Sequence, residues 1–144
     1  MKRVSDILQT KGREVWTITQ ETLVFDALKT MADKNVGALV VMDGAKVTGI
    51  LSERDYARKV ILHGRSSREL ETREIMSTNV YFVGPEQDIE DCMALFTNKR
   101  VRHLPVLQND QLIGMISIGD VVKAVIAEQE STIQHLENYI TGGR

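Results

Sequence analysis

Val47-Thr48-Gly49-Ile50-Leu51-Ser52-Glu53-Arg54-Asp55 has a second version in Gly114-Met115-Ile116-Ser117-Ile118-Gly119-Asp120. In both, a glycine is followed by two apolar residues and then by Ser-x-x-Asp. Working outward, a shift of 65 residues pairs positions 15–61 with 80–126 without a gap, and 12 of these 47 pairs are identical. Among them are Glu21/Glu86, Asp26/Asp91, Leu39/Leu104, Gly49/Gly114, Ser52/Ser117 and Asp55/Asp120. Conservative pairs such as Val24/Ile89, Met31/Phe96 and Leu51/Ile116 keep apolar against apolar. Two copies of one folding unit are present. A period this long with only two copies points to a pseudo-twofold pair rather than a stacked solenoid.

Within each copy the hydrophobic period changes in a fixed order. Val15 to Ile18 reads as a short strand. Val24, Ala27, Leu28 and Met31 then fall at i, i+3, i+4 and i+7, and Ile89, Cys92, Met93 and Phe96 repeat that spacing, as one buried helix face requires. Thr22 is the expected N-cap of the first of these helices. Ala38 to Met42 is an apolar run of strand length, Asp43-Gly44 marks a turn, and Val47 to Leu51 is the next strand. The second copy has Leu104 to Leu107 and Leu112 to Ile116. A second helix starts at Ser52 or Ser117, since Ser-x-x-Asp before an apolar-periodic run is a helix-start signature. The expected architecture is α+β, with the order β-α-β-β-α occurring twice.

The expected boundaries are 1–14 as an N-terminal linker segment, 15–63 and 80–126 as the repeats, 64–79 as an inter-repeat linker and 127–144 as a helical extension. That extension carries Ile133, Leu136 and Ile140 at i, i+3 and i+7. It either caps the protein's own core or meets a partner.

The sequence has 144 residues, 42% hydrophobic and 26% charged, so it can bury a core. Its formal charge of -2 gives no global field for a polyanion, so no nucleic-acid partner is expected. Nowhere do 18 apolar residues run together, and no secretory leader is legible, so neither a membrane span nor secretion is expected. The single cysteine, Cys92, has no intrachain partner, which makes the cytoplasm the expected location. Cys92 and the methionines Met31, Met42, Met93 and Met115 lie on apolar faces and are expected in the core. No phosphate loop, nucleophile elbow or metal-binding helix motif is present, and no enzyme is expected.

The two Ser-x-x-Asp phrases resemble those of the cystathionine-β-synthase (CBS) domain. The resemblance is carried also by Arg73-Glu74-Ile75-Met76 and by Arg100-Val101-Arg102-His103-Leu104-Pro105-Val106. Taken over nearly the whole sequence, the chain looks like stand-alone bacterial proteins with two such repeats. The resemblance implies a regulatory pair that binds adenosine-containing ligands, AMP, ADP, ATP or NAD(H) and less so S-adenosylmethionine, in clefts between its repeats. It implies no catalytic cofactor, a homodimer built on the second helices, and a protein target that the sequence does not identify.

A ribose offers two vicinal hydroxyls, and a fixed carboxylate can accept a hydrogen bond from each, so Asp55 and Asp120 are the candidate ribose ligands. Both lie near a helix N-terminus, where the dipole favours negative charge, and Ser52 and Ser117 add hydroxyls. Ser-x-x-Asp is equally a capping device, and capping alone explains either copy. Arg100, Arg102 and His103 are the densest local basic group and the candidate phosphate ligands; Arg100 also reads as a solvated charge and His103 as a packed neutral ring. The resemblance places Asp55 in one cleft with Arg102 and His103, and Arg54 in the other with Asp120. It assigns Thr17, Ile18 and Thr19, with Phe82, Val83 and Gly84, to the base. Trp16 and Tyr81 either stack on a base or pack in the core, packing being the commoner fate. The alternative to a sensor is a ligand-free dimerisation or protein-interaction module.

Overall fold

The protein is described here from a computed structural model covering residues 2–141. The chain clusters into two compact units. One holds Glu14–Tyr81 and Asn109–Ile113; the other holds Phe82–Gln108 with the described parts of Met1–Arg13 and Gly114–Arg144.

In the unit built on Glu14–Tyr81, a short β1 (Thr17–Ile18) leads to α2 (Val24–Lys34), preceded in the chain by α1 (Val4–Lys11) of the other unit. Then come β2 (Ala38–Asp43), β3 (Lys46–Ser52) and α3 (Glu53–Lys59). β1 runs parallel to β2 with Thr17 opposite Val40, and β2 runs antiparallel to β3 with a register shift between Val41 and Met42. Val24, Ala27 and Met31, the apolar stripe of α2, pack with Leu39, Val41, Leu51 and Val60 into one buried cluster. Each of the valine, leucine and methionine side chains contributes about 1.5–3 kcal/mol when fully buried. Thr22 does not cap α2: the N-cap is Leu23, and the Thr22 hydroxyl instead accepts a hydrogen bond from the Thr19 amide at 3.2 Å, a local turn that competes with capping.

The second unit has α4 (Ile89–Lys99), β4 (His103–Gln108), the part of β5 (Gln111–Ser117) from Gly114 onward, and α5 (Ile118–Ile140). β4 pairs with β5. Where a counterpart of β1 was expected, only a single parallel bridge, Val83 to Val106, forms. Ile89, Cys92 and Phe96 are buried on α4 as the spacing predicts, but Met93, expected in the core, is exposed. Both Asn35 and Arg100 end their helices in the left-handed region, with φ 54° and 53°. Among the described residues no helix is long and apolar enough to cross a membrane.

The two segments read as linkers are structured, and each completes a unit. Residues 1–14 contain α1, whose Val4, Ile7 and Leu8 are buried. Residues 64–79 contain a 3₁₀ turn, Thr72–Glu74, with Leu70, Thr72 and Ile75 buried. The two segments make matching contacts. Val4 N–H donates to Gln87 O at 2.9 Å and Thr72 N–H to Thr22 O at 2.8 Å; Ser5 N–H donates to Pro85 O and Arg73 N–H to Gln20 O. Arg3 bridges Asp88, and Glu71 bridges Leu23. Acceptors and bridge partners differ by the repeat offset of 65, whereas the donor segments differ by 68. The glycines of the repeated phrase explain the fit: a Cβ on Gly49 would lie 2.9 Å from both Met76 Sδ and Ser77 O, and one on Gly114 would lie 2.7 Å from Leu8 Cδ2. Glycine lets the segment lie directly on β3 or β5.

Candidate functional site around the paired aspartates

Both Ser-x-x-Asp phrases form complete capping boxes. Ser52 is the N-cap of α3: its Oγ accepts from Asp55 N–H at 3.1 Å, while Asp55 Oδ2 accepts from Ser52 N–H at 3.0 Å. Ser117 and Asp120 do the same at the start of α5, at 3.2 and 2.8 Å. This satisfies donors that a helix start otherwise leaves unpaired.

Beyond capping, the two aspartates differ. Asp55 is only 9% exposed, and both of its carboxylate oxygens have partners. Oδ2 takes the Ser52 amide and hydroxyl; Oδ1 takes the Ser77 hydroxyl at 3.2 Å and the Lys59 ammonium at 3.2 Å. Lys59 is held there by a 2.8 Å bond to Ile75 O. Asp120 is half-buried, and its Oδ2 alone takes the Ser117 amide and the Lys11 ammonium at 2.7 Å. Lys11 is anchored by Met115 O, also at 2.7 Å. Among the described residues Asp120 Oδ1 accepts no hydrogen bond. Burial on its own would raise the Asp120 pKa, but the Lys11 hydrogen bond, the Ser117 amide and the Lys11 charge outweigh it and hold the carboxyl below its ordinary value.

A cavity of about 390 Å³ opens beside Asp120. Its walls include Lys2, Thr10 and Lys11 from the α1 segment, and Lys123 and Ala124 from α5. Three ammonium groups beside two carboxylates, Asp6 and the partly open Asp120, leave one net positive charge, which suits a ligand that carries hydroxyls and negative charge together.

The remaining sequence candidates divide between the units. The Ile118 amide donates to Arg102 O at 3.0 Å, which ties the start of α5 to the start of β4 and sets Arg102 and His103 at the same end of their unit as Ser117 and Asp120. The matching bond in the other unit is Glu53 N–H to Gly37 O. Arg54, Arg100 and Arg102 are exposed and His103 is half-buried. Thr17 and Thr19 are exposed beside the half-buried Ile18. Phe82 is exposed, whereas Val83 is buried and its amide and carbonyl are both engaged, by Pro105 O and the Leu107 amide. Trp16 packs against the core with the Lys34 ammonium 4.4 Å from its ring centroid. Burial pushes the Cys92 thiol up to about 11, aided by the Asp91 charge, so it is an inert core side chain.

Sequence reasoning missed Lys11, Lys59 and Ser77, the side chains that engage the two aspartates. Lys59 was visible at i+4 from Asp55 on one helix. Lys11 and Ser77 sit on the segments offset by 68, which a gapless search at 65 passes over.

A CBS domain family model matches residues 4–62 and 73–127. The CBS domain-containing protein CBSX3, mitochondrial, of Arabidopsis thaliana is 42% identical over 150 residues, spanning 97% of this chain and 72% of that protein. The structure of a putative signal-transduction protein with CBS domains from Burkholderia ambifaria MC40-6 superposes with a TM-score of 0.84 at 51% identity, covering 89% of this chain and 96% of that one. A CBS-domain containing protein from Agrobacterium tumefaciens gives 0.81 at 37% identity, over 85% and 98%. Doubled capping boxes, doubled completing segments and a doubled family match lead to one conclusion: the chain belongs to the CBS domain family and carries two of its repeats.

Proposed function

We propose that this protein is a regulatory module that binds an adenosine-containing ligand, AMP, ADP, ATP or NAD(H), and passes the state of occupancy to a protein target. The observation that carries this reading is the Asp120 site. A carboxylate kept ionised, with one oxygen open, borders a cavity of about 390 Å³ bearing Lys2, Lys11 and Lys123. The carboxylate suits ribose hydroxyls, and Lys2 and Lys11 suit phosphates. Arg102 lies at the same end of the unit, outside the lining of this cavity. Membership of a family of regulatory ligand binders supports the class of function. The same reading makes the protein a homodimer built on its second helices, since isologous pairs are the commonest symmetric assembly. No catalytic role is proposed.

Thermal unfolding with AMP, ATP, NADH and S-adenosylmethionine tests the reading. A ligand present at 100 times its Kd stabilises by about 2.7 kcal/mol. A midpoint rise with one of the first three, lost in Asp120→Ala, is the expected result; no rise with any adenosine compound overturns it. A second reading, a ligand-free interaction module, is favoured by Asp55, whose carboxylate is spent on Ser52, Ser77 and Lys59.

A further inference from the structure

We propose that α5, from Val122 to Ile140, pairs antiparallel with the same helix of a second copy. The proposal rests on the homodimer of the preceding reading and specifies a contact that includes residues past position 127, where the family match ends. α5 runs to Ile140, and Ile133, Leu136 and Ile140 are 55%, 57% and 82% exposed. With Val122, Ile126 and Gln129 they form a row spaced alternately by four and three residues, the seam of a two-helix coil. The helix uses a different face, marked by Val121 and Ala124, to pack on its own unit, so the seam is unpartnered there.

A second copy fits this seam antiparallel better than parallel. Centred near position 131, an antiparallel pair sets Ile126 against Leu136 and Ile140 against Val122 of the other copy, twice over by symmetry. Flanking the seam, Lys123 then faces Glu137 of the second copy, giving two opposite-charge pairs against one like pair at Glu130. Tyr139 comes beside Val125 of the second copy. There a groove of about 390 Å³ between α4 and α5, lined by Ile89, Val125, Gln129 and Ile133 among others, is open to receive an aromatic ring. A parallel pair would place no cation opposite Glu130 or Glu137 and would leave that groove unfilled.

Light scattering of the wild type and of Leu136→Glu, with circular dichroism to check that the exposed substitution leaves the fold intact, tests the pairing. The wild type is expected to be a dimer and the variant to dissociate at least tenfold more readily. Orientation is read by oxidising single-cysteine chains in a Cys92→Ala background: Ile126→Cys mixed with Leu136→Cys is expected to give a mixed disulfide dimer. Self-linking of Ile126→Cys in preference to the mixed product overturns the antiparallel pairing. A dimer unaffected by Leu136→Glu overturns the pairing but leaves the homodimer standing, whereas a monomeric wild type contradicts both.

Discussion

At Arg100 the backbone carries a conformational cost of its own. It closes α4 at φ 53°, where Asn35 closes α2, and a left-handed conformation costs a residue other than glycine or asparagine about 1–2 kcal/mol. Arg100→Asn is therefore expected to raise the thermal midpoint by about 2–4 °C for each kcal/mol recovered. An unchanged or lower midpoint would show that the guanidinium makes a compensating contact. Lys11 and Asp120 give a pH signature. The Asp120 carboxyl ionises more readily folded than unfolded, so its stabilisation is present above the unfolded value of about 3.9 and is lost as pH falls through the lower folded value. In urea titrations the wild type should exceed Asp120→Asn in stability at pH 7, with the margin shrinking below about pH 4. A margin that grows on acidification would contradict the ion pair. Both aspartates were legible as helix-start residues from Ser-x-x-Asp; their unequal engagement was not, because it depends on Ser77 and Lys11, which are distant in sequence from the residues they touch.

At the scale of elements, strands and helices followed from apolar period, and both capping boxes from a four-residue motif. The completing segments were read as linkers, the one between the repeats because it is polar by composition, and only the bonds of Val4 and Thr72 to their units reveal the packing. The trace of this was present in Gly49 and Gly114. A methyl group on Gly49 would meet a backbone carbonyl, Ser77 O, which cannot rotate away, whereas on Gly114 it would meet only the flexible Leu8 side chain. Gly49→Ala is accordingly expected to destabilise by about 1–3 kcal/mol and Gly114→Ala by less, as read from denaturant midpoints. Equal losses would mean that Leu8 is held as rigidly as backbone. The strand expected before α4 is reduced to one bridge, Val83 opposite Val106, where β1 pairs Thr17 and Ile18 with Val40 and Val41.

For the whole molecule, the duplication at offset 65 made the family legible, because an internal repeat constrains the fold more tightly than any single motif. The ligand was less legible: a carboxylate and cations specify sugar and phosphate, but nothing in the apolar walls distinguishes a mononucleotide from a dinucleotide. The central claim is that Asp120 receives the ribose of an adenosine ligand. Isothermal titration of AMP, ATP and NADH into the wild type and Asp120→Ala tests it most directly. Saturable heat with at least one ligand, and at least tenfold weaker binding by the variant, is the result the account predicts. Silence from all three in the wild type, or equal affinity in both proteins, would contradict it.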